Sequence, residues 1–119
     1  MTPSDSRIIR QPLTRAELGG MAEARFGDMV KAVVDVSRAI MAVSGELHSD
    51  EEALLLQDGS RQVDLWGINL HPKERGADWI EFDSMINVRP SQNNRSRDVQ
   101  DEATRTAIRR VVNALVVDS

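Results

Sequence analysis

The sequence predicts a single α+β domain over residues 1–119, with helices packed on a four- or five-stranded, mostly antiparallel sheet. A chain of 119 residues fits one domain of ordinary size. Segments of helical and strand periodicity follow in the order α-β-β-α-β-β-α, unlike the strict strand–helix alternation of parallel folds. The strands also come in two adjacent pairs, as expected of antiparallel hairpins. Together these features indicate one sheet and three helices.

The first predicted helix begins after Thr14. Before it, residues 1–7 are expected to form a flexible tail, and Gln11 is biased toward an extended conformation because a proline follows it. Thr14 and Glu17 match the S/T-x-x-E capping box. Gly27 suits the end of the helix, since glycine readily adopts the left-handed conformation of a C-terminal cap.

The first strand pair is predicted in residues 30–36 and 39–43. β-branched residues are frequent in both runs, as is typical of strands. Only Ser37 and Arg38 separate the two runs, so a hairpin is expected. Because Ser-Arg is not a favoured two-residue turn, the loop should be longer than two residues.

The second half of the chain is predicted to add a helix, two strands and a final helix. Ser49 and Glu52 match a second capping box, and the nearby acidic residues favour the helix dipole. The third and fourth strands are expected over residues 61–71 and 79–89, each stopped by a proline. An amphipathic helix over residues 101–117, capped by an aspartate, completes the predicted domain.

Composition excludes several classes of protein. The chain has no cysteine, which rules out disulfides, thiolate metal sites and a thiol nucleophile, and fits a reducing compartment. No apolar run approaches the roughly 20 residues of a membrane helix, and the first residues lack an apolar signal segment, so a cytoplasmic location is expected. The net charge of −4 and an aromatic set of two Trp and two Phe give little basis for nucleic-acid binding, which is therefore not favoured.

Charge is distributed unevenly along the chain. Residues 46–58 contain five acids and no base, whereas residues 89–110 contain six arginines against three acids. Two solvated helix surfaces would account for this pattern. It would also suit a basic patch for an anionic ligand, or complementary surfaces on two subunits of a homodimer.

The predicted fourth strand places a polar face beside a loop rich in hydrogen-bonding side chains. Its core face is predicted to carry Ile80, Phe82, Ile86 and Val88, and its other face Trp79, Glu81, Asp83, Met85, Asn87 and Arg89. Gly67 of the third strand would leave space above the sheet for a pocket. The candidate ligand-binding residues are Asn69, Asn87, Asn93, Asn94 and Arg95. Alternatively, this is an ordinary solvated face with a structural ion pair between Asp83 and Arg89.

A second group of candidates precedes the middle helix. Glu46 and His48 alternate along a segment expected to be extended, so they would share a face. With Asp50 they could hold a divalent metal such as Mg²⁺, Mn²⁺ or Zn²⁺, although no zinc-hydrolase signature is present. An ordinary helix-entry turn explains the same residues.

Two functions remain open on these observations. The first is a cytoplasmic binding or interaction protein that takes a small anionic ligand or a protein partner. The second is a small hydrolase of a phosphate ester or RNA, with catalytic candidates Glu46, His48, Asp83 and Arg89. The hydrolase requires these four residues to lie within about 10 Å of one another, because they must reach one substrate.

Three segments carry a resemblance to a known family: GELHSDEEALLL, GSRQVDLWGINL and FDSMINVRPSQNNRS. Over about residues 8–116, the chain resembles a small prokaryotic family described only as domain of unknown function 5674. That resemblance implies a single domain and carries no activity, cofactor or catalytic residue.

Overall fold

The computed structural model describes residues 6–118. The helices of this part of the chain are α1 (Arg15–Arg25), α2 (His48–Gln57) and α3 (Glu102–Leu115). The strands are β1 (Arg7–Ile9), β2 (Leu13–Thr14), β3 (Val30–Asp35), β4 (Ile40–Val43), β5 (Leu65–Leu70), β6 (Ile80–Glu81) and β7 (Val116–Val117). The predicted α+β class with three helices is confirmed.

The main sheet has five antiparallel strands in the order β1-β4-β3-β5-β6. β3 lies at its centre and pairs with β5 along its whole length. β2 and β7 form a separate parallel pair, which sequence patterns did not predict. Of the predicted tail, residues 1–5 lie outside the described residues, whereas Arg7 begins β1.

Helices cover both faces of the main sheet. The face that bears Val34 and Ile68 packs against α1 and α3, through buried residues that include Leu18 and Ile108. The opposite face bears Val33 and packs against α2 over only part of its area. Within residues 6–118, no helix is both long enough and apolar enough to cross a bilayer.

The helix caps agree only partly with the sequence predictions. Thr14 and Glu17 form the expected capping box, with both hydrogen bonds 3.0 Å long. Asp101 caps α3 by accepting the Thr104 N–H at 2.9 Å. The second predicted box is wrong, because α2 starts one residue before Ser49 and its N-cap makes no side-chain hydrogen bond.

The β3–β4 loop contains four residues, as the disfavoured Ser-Arg turn suggested. One carboxylate oxygen of Asp35 accepts the N–H groups of Ser37 and Arg38, each at 2.9 Å. Ala39 has a positive φ of 58°, which completes the turn. Local side-chain hydrogen bonds thus replace a favoured turn sequence.

The predicted fourth strand is the main error. Only Ile80–Glu81 pairs with β5, and the chain then forms tight turns at Met85–Asn87 and Pro90–Gln92. The expected faces also fail. Trp79, Asn87 and Arg89, placed on the polar face, are buried, whereas Val88, placed on the core face, is exposed. The predicted pocket above Gly67 is filled, since a Cβ there would lie 2.6 Å from Ser84.

Candidate functional site

Asn87 takes the place of a strand residue at the outer edge of β5. Its Oδ1 accepts the Gly67 N–H at 2.8 Å, and its Nδ2 donates to the Gly67 carbonyl at 2.9 Å. Nδ2 also donates to the Arg97 carbonyl at 2.9 Å. The side chain is fully buried and each of these bonds is to backbone, so Asn87 is a structural residue and not the predicted ligand contact.

Arg89 occupies the same edge one step further along β5. Its guanidinium donates to the carbonyls of Gln62 at 2.8 Å and of Leu65, and it stacks 4.6 Å from the Trp66 ring centroid. Burial lowers the pKa of Arg89, and the nearby Glu52 carboxylate, 4.0 Å away, opposes this. The Arg89 guanidinium is therefore bound to backbone carbonyls and is not free for the catalytic role predicted from the sequence.

The loop after Arg89 is held by Asn94. Its Nδ2 donates to three backbone carbonyls, of which Asn87 lies at 2.7 Å, and its Oδ1 accepts the Gln100 N–H at 2.8 Å. Asn93 is exposed in the left-handed conformation, and the Arg95 side chain is also exposed. Asn93 and Asn94 line a cavity of about 370 Å³, but the Asn94 amide has no free group to offer a ligand.

A row of polar side chains crosses three strands on the face of the sheet that also packs against α2. Lys31, Asn69 and Glu81 occupy matched positions on β3, β5 and β6. The Asn69 amide donates to the Glu81 carboxylate at 3.1 Å and to the Asp83 carbonyl at 3.3 Å. His71 lies at the end of this row, with Nε2 3.1 Å from the same Glu81 oxygen.

His48 lies above this row, at the start of α2. Its Nε2 is 2.8 Å from the Ile68 carbonyl oxygen, so Nε2 carries the proton and Nδ1 keeps its lone pair in the neutral ring. Burial lowers the pKa of His48, while the Ile68 hydrogen bond raises it. The charges of Lys31 and Arg97 lower this pKa further and that of Asp83 raises it. The imidazole is therefore neutral at pH 7.

Asp83 pairs with Arg97 instead of Arg89. The Arg97 Nε donates to the Asp83 carboxylate at 2.6 Å, and both side chains are about half exposed. We call the group Lys31, His48, Asn69, Glu81, Asp83 and Arg97 the polar patch. It contains two cations, two carboxylates, a neutral imidazole and an amide, and of these residues Asn69 is buried.

Three buried oxygen atoms on or near α2 have no hydrogen-bond donor among the described residues: Asn69 Oδ1, Glu51 Oε1 and Glu52 Oε2, of which the last lies 4.0 Å from the Arg89 guanidinium. The other Glu51 oxygen accepts the Gly45 N–H at 2.8 Å. Burial raises the pKa of Glu51 well above the usual carboxyl range. A Cβ at Gly45 would lie 2.8 Å from the Glu51 side chain, so the glycine permits this close approach.

The predicted Glu46–His48 pair is not formed. Glu46 is exposed and, among the described residues, makes no hydrogen bond or ion pair with His48. In residues 6–118 no three His, Cys, Asp or Glu side chains come together as metal ligands, so the suggested divalent site with Asp50 is not preformed. His48 and Asp83 do come close, whereas Glu46 and Arg89 are not part of the polar patch.

Sequence reasoning missed Lys31, Glu81 and Arg97 as companions of His48. Lys31 could have been noticed as the polar residue within the apolar run of β3. Arg97 could have been found from its place next to the predicted ligand loop. These residues come together because of the strand register and the residue at which α2 begins, and neither can be read from a local sequence pattern.

These features define a small α+β domain with a polar patch on the α2 face of its sheet. A family model described as "Protein of unknown function (DUF5674)" matches residues 7–115, so the chain belongs to this family, as the resemblance indicated. No match was found among curated proteins or among solved structures.

Proposed function

We propose that the protein is a small cytoplasmic binding protein whose polar patch takes an anionic ligand. The observation that carries this proposal is the arrangement of three residues around β5. His48 is bonded to the Ile68 carbonyl, Lys31 lies opposite Asn69, and Arg97 is bonded to Asp83, whose carbonyl accepts the Asn69 amide. Lys31 and Arg97 supply N–H donors there, and Glu81 and Asp83 balance their charge, so the proposal depends on these donors and not on a net positive charge.

Arg97 is suited to hold such a group. Only its Nε is engaged, by Asp83, while both terminal nitrogens lack hydrogen-bond acceptors among the described residues. A guanidinium can bind phosphate or carboxylate through two parallel hydrogen bonds. The Lys31 ammonium would add a second positive charge from β3. The pair gives more attraction for a divalent phosphate than for a monovalent carboxylate.

Calorimetric titration with inorganic phosphate tests the proposal. Arg97→Gln and Lys31→Met should each weaken phosphate binding by about tenfold, the equivalent of roughly 1.4 kcal/mol. Arg110→Gln and Lys73→Met are matched controls, because both residues are exposed and neither belongs to the polar patch. The proposal fails if phosphate does not bind, or if the control variants weaken binding as much as the patch variants.

A second function, cleavage of a phosphate ester or RNA, is favoured by the state of His48. The ring is neutral at pH 7, its tautomer is fixed by Ile68, and Nδ1 keeps a lone pair that can accept a proton. Arg97 would stabilise the phosphate, and Asp83 would orient Arg97. Glu46 has no part in this version, because it does not contact His48.

Turnover of p-nitrophenyl phosphate and of a short RNA would test this second function. His48→Gln should abolish turnover, since an amide can still donate to the Ile68 carbonyl but cannot act as a base. Glu46→Gln should leave the rate unchanged. Activity that survives in His48→Gln would exclude the imidazole as the base.

A further inference from the structure

Two apolar side chains next to the polar patch are unusually exposed. Met85 is 64% exposed and Leu47 is 52% exposed, the highest values among the large apolar residues of the described chain. Single exposed apolar residues are common on protein surfaces, so exposure alone has no functional meaning. What distinguishes these two residues is their location.

Both residues adjoin members of the polar patch in the chain. Leu47 is the N-cap residue of α2 and immediately precedes His48. Met85 follows Asp83 by two residues, in a turn that packs against α2. His48 is bonded to the Ile68 carbonyl and the Asp83 carbonyl accepts the Asn69 amide, so both lie against neighbouring residues of β5, and each has an exposed apolar residue beside it in the chain.

Met85 points outward because the space beneath its turn is already filled. Ser84 and Ile86 occupy the volume above Gly67, at 2.6 Å and 3.1 Å from the position of a Cβ there. Ile86 also packs on the core beneath α2. The turn therefore fixes a flexible thioether on the surface, and methionine adapts well to apolar and aromatic groups of varied shape.

We infer that the ligand of the polar patch is amphiphilic, with an anionic group and an apolar or aromatic body that packs on Leu47 and Met85. This inference rests on the proposed function and narrows it to organic phosphates, as distinct from inorganic anions. Lys31 and Arg97 would hold the phosphate. The two apolar side chains would then lose exposed area on binding, which is favourable in water.

The test compares phenyl phosphate with inorganic phosphate by calorimetry, using the whole chain. On the parent protein, phenyl phosphate should bind about tenfold more tightly, as expected for burial of a few apolar carbon atoms. Met85→Ser and Leu47→Ser should each reduce this ratio toward one and leave phosphate binding unchanged. Val63→Ser and Leu56→Ser are matched controls, because both residues are exposed and apolar but lie outside the polar patch.

Each other outcome overturns the inference in a distinct way. Equal affinity for phenyl phosphate and inorganic phosphate would contradict an amphiphilic ligand but leave the anion-binding proposal intact. Failure of both probes to bind would remove both. If the control variants lose the preference for phenyl phosphate to the same extent, Leu47 and Met85 do not bind the apolar part of the ligand. A dimer that Met85→Ser dissociates, seen by light scattering, would assign these side chains to a second copy of the chain.

Discussion

Asn87 pairs with Gly67 as a neighbouring strand would, although the chain around it is not a strand. A primary amide has one acceptor oxygen and two N–H donors. The oxygen and one donor pair with the N–H and C=O of Gly67, which leaves one donor for another partner. The spare donor reaches the Arg97 carbonyl and ties the following loop to β5. One side chain thus satisfies three buried backbone groups.

Removal of this amide should strongly destabilise the protein. Asn87→Ala leaves the Gly67 N–H and the Gly67 C=O without their side-chain partner, while the Arg97 C=O keeps the Ser84 N–H, and we expect a loss of about 2–4 kcal/mol. Urea unfolding measures the difference. Gln57→Ala, which truncates an exposed amide at the end of α2, should change stability by less than about 0.5 kcal/mol. Equal effects of the two variants would show that Asn87 is not a structural residue.

At the scale of single elements, β5 is flanked by a strand on one side and mostly by side chains on the other. β6 covers only two residues of its outer edge, and Asn87 and Arg89 satisfy backbone groups along the rest. Ser84 then comes close enough to the edge to require a glycine at position 67. The missing side chain at Gly67 is therefore a packing requirement.

Gly67→Ala should destabilise the protein by about 1–3 kcal/mol, because the new methyl group overlaps Ser84. Gly19→Ala is the informative comparison. No atom would lie within 4 Å of a Cβ at Gly19, and alanine favours the helix by up to about 1 kcal/mol. Thermal unfolding of both variants should give shifts of opposite sign. A stabilising effect of Gly67→Ala would contradict the close packing of β5 against Ser84.

The elements that follow local rules were predictable, and the one that depends on long-range hydrogen bonds was not. The Thr14 capping box and the cap at Asp101 depend on neighbours three residues away, so the sequence reveals them. The alternation in residues 79–89 imitates a strand. Its apolar members enter different cores, since Ile80 packs with α1 and α3 whereas Ile86 packs under α2.

For the whole molecule, two buried titratable groups on α2 link stability to pH in opposite directions. Burial raises the pKa of Glu51 and lowers the pKa of His48. The folded state therefore binds the Glu51 proton more tightly than the unfolded chain does. It binds the His48 proton less tightly. Ionisation of Glu51 therefore lowers the free energy of unfolding as pH rises above about 4.5. Protonation of His48 lowers it as pH falls below about 6.5.

Glu51→Gln isolates the first effect. The glutamine carbonyl can still accept the Gly45 N–H, but there is no carboxyl group to ionise. We expect the variant to be more stable than the parent at pH 8, with an advantage that disappears near pH 4, where the carboxyl is neutral in both states. Urea unfolding across this range measures the difference. Lower stability of the variant at pH 8 would mean that the charged carboxylate is stabilised in the fold.

His48→Gln isolates the second effect. The parent should lose stability as pH falls from about 6.5 through the folded pKa of His48, and the variant should lose less over that window. An NMR titration of the ring should show the lowered pKa directly. A folded pKa above 6.5 would contradict a buried, neutral imidazole.

The polar patch could be predicted only in part. His48, Asn69 and Asp83 stood out as polar residues beside apolar runs, and the structure brings them near one another. Asn87 and Arg89 looked equally suitable for a ligand. The same polar residue types occur where side chains bond to a sheet edge and where they face solvent. Only their burial in the structure distinguishes the two cases.

Asn87 and Arg89 also keep other chains away from β5. An open strand edge is a template on which a second molecule can add its own strand, and such growth leads to polymers and fibrils. Here the protection resides in two side chains of a tight-turn segment. If residues 84–97 detach while the sheet persists, the edge of β5 is exposed and can pair with a strand of another molecule. The partly opened form, more than the unfolded chain, would therefore set the tendency of this protein to aggregate.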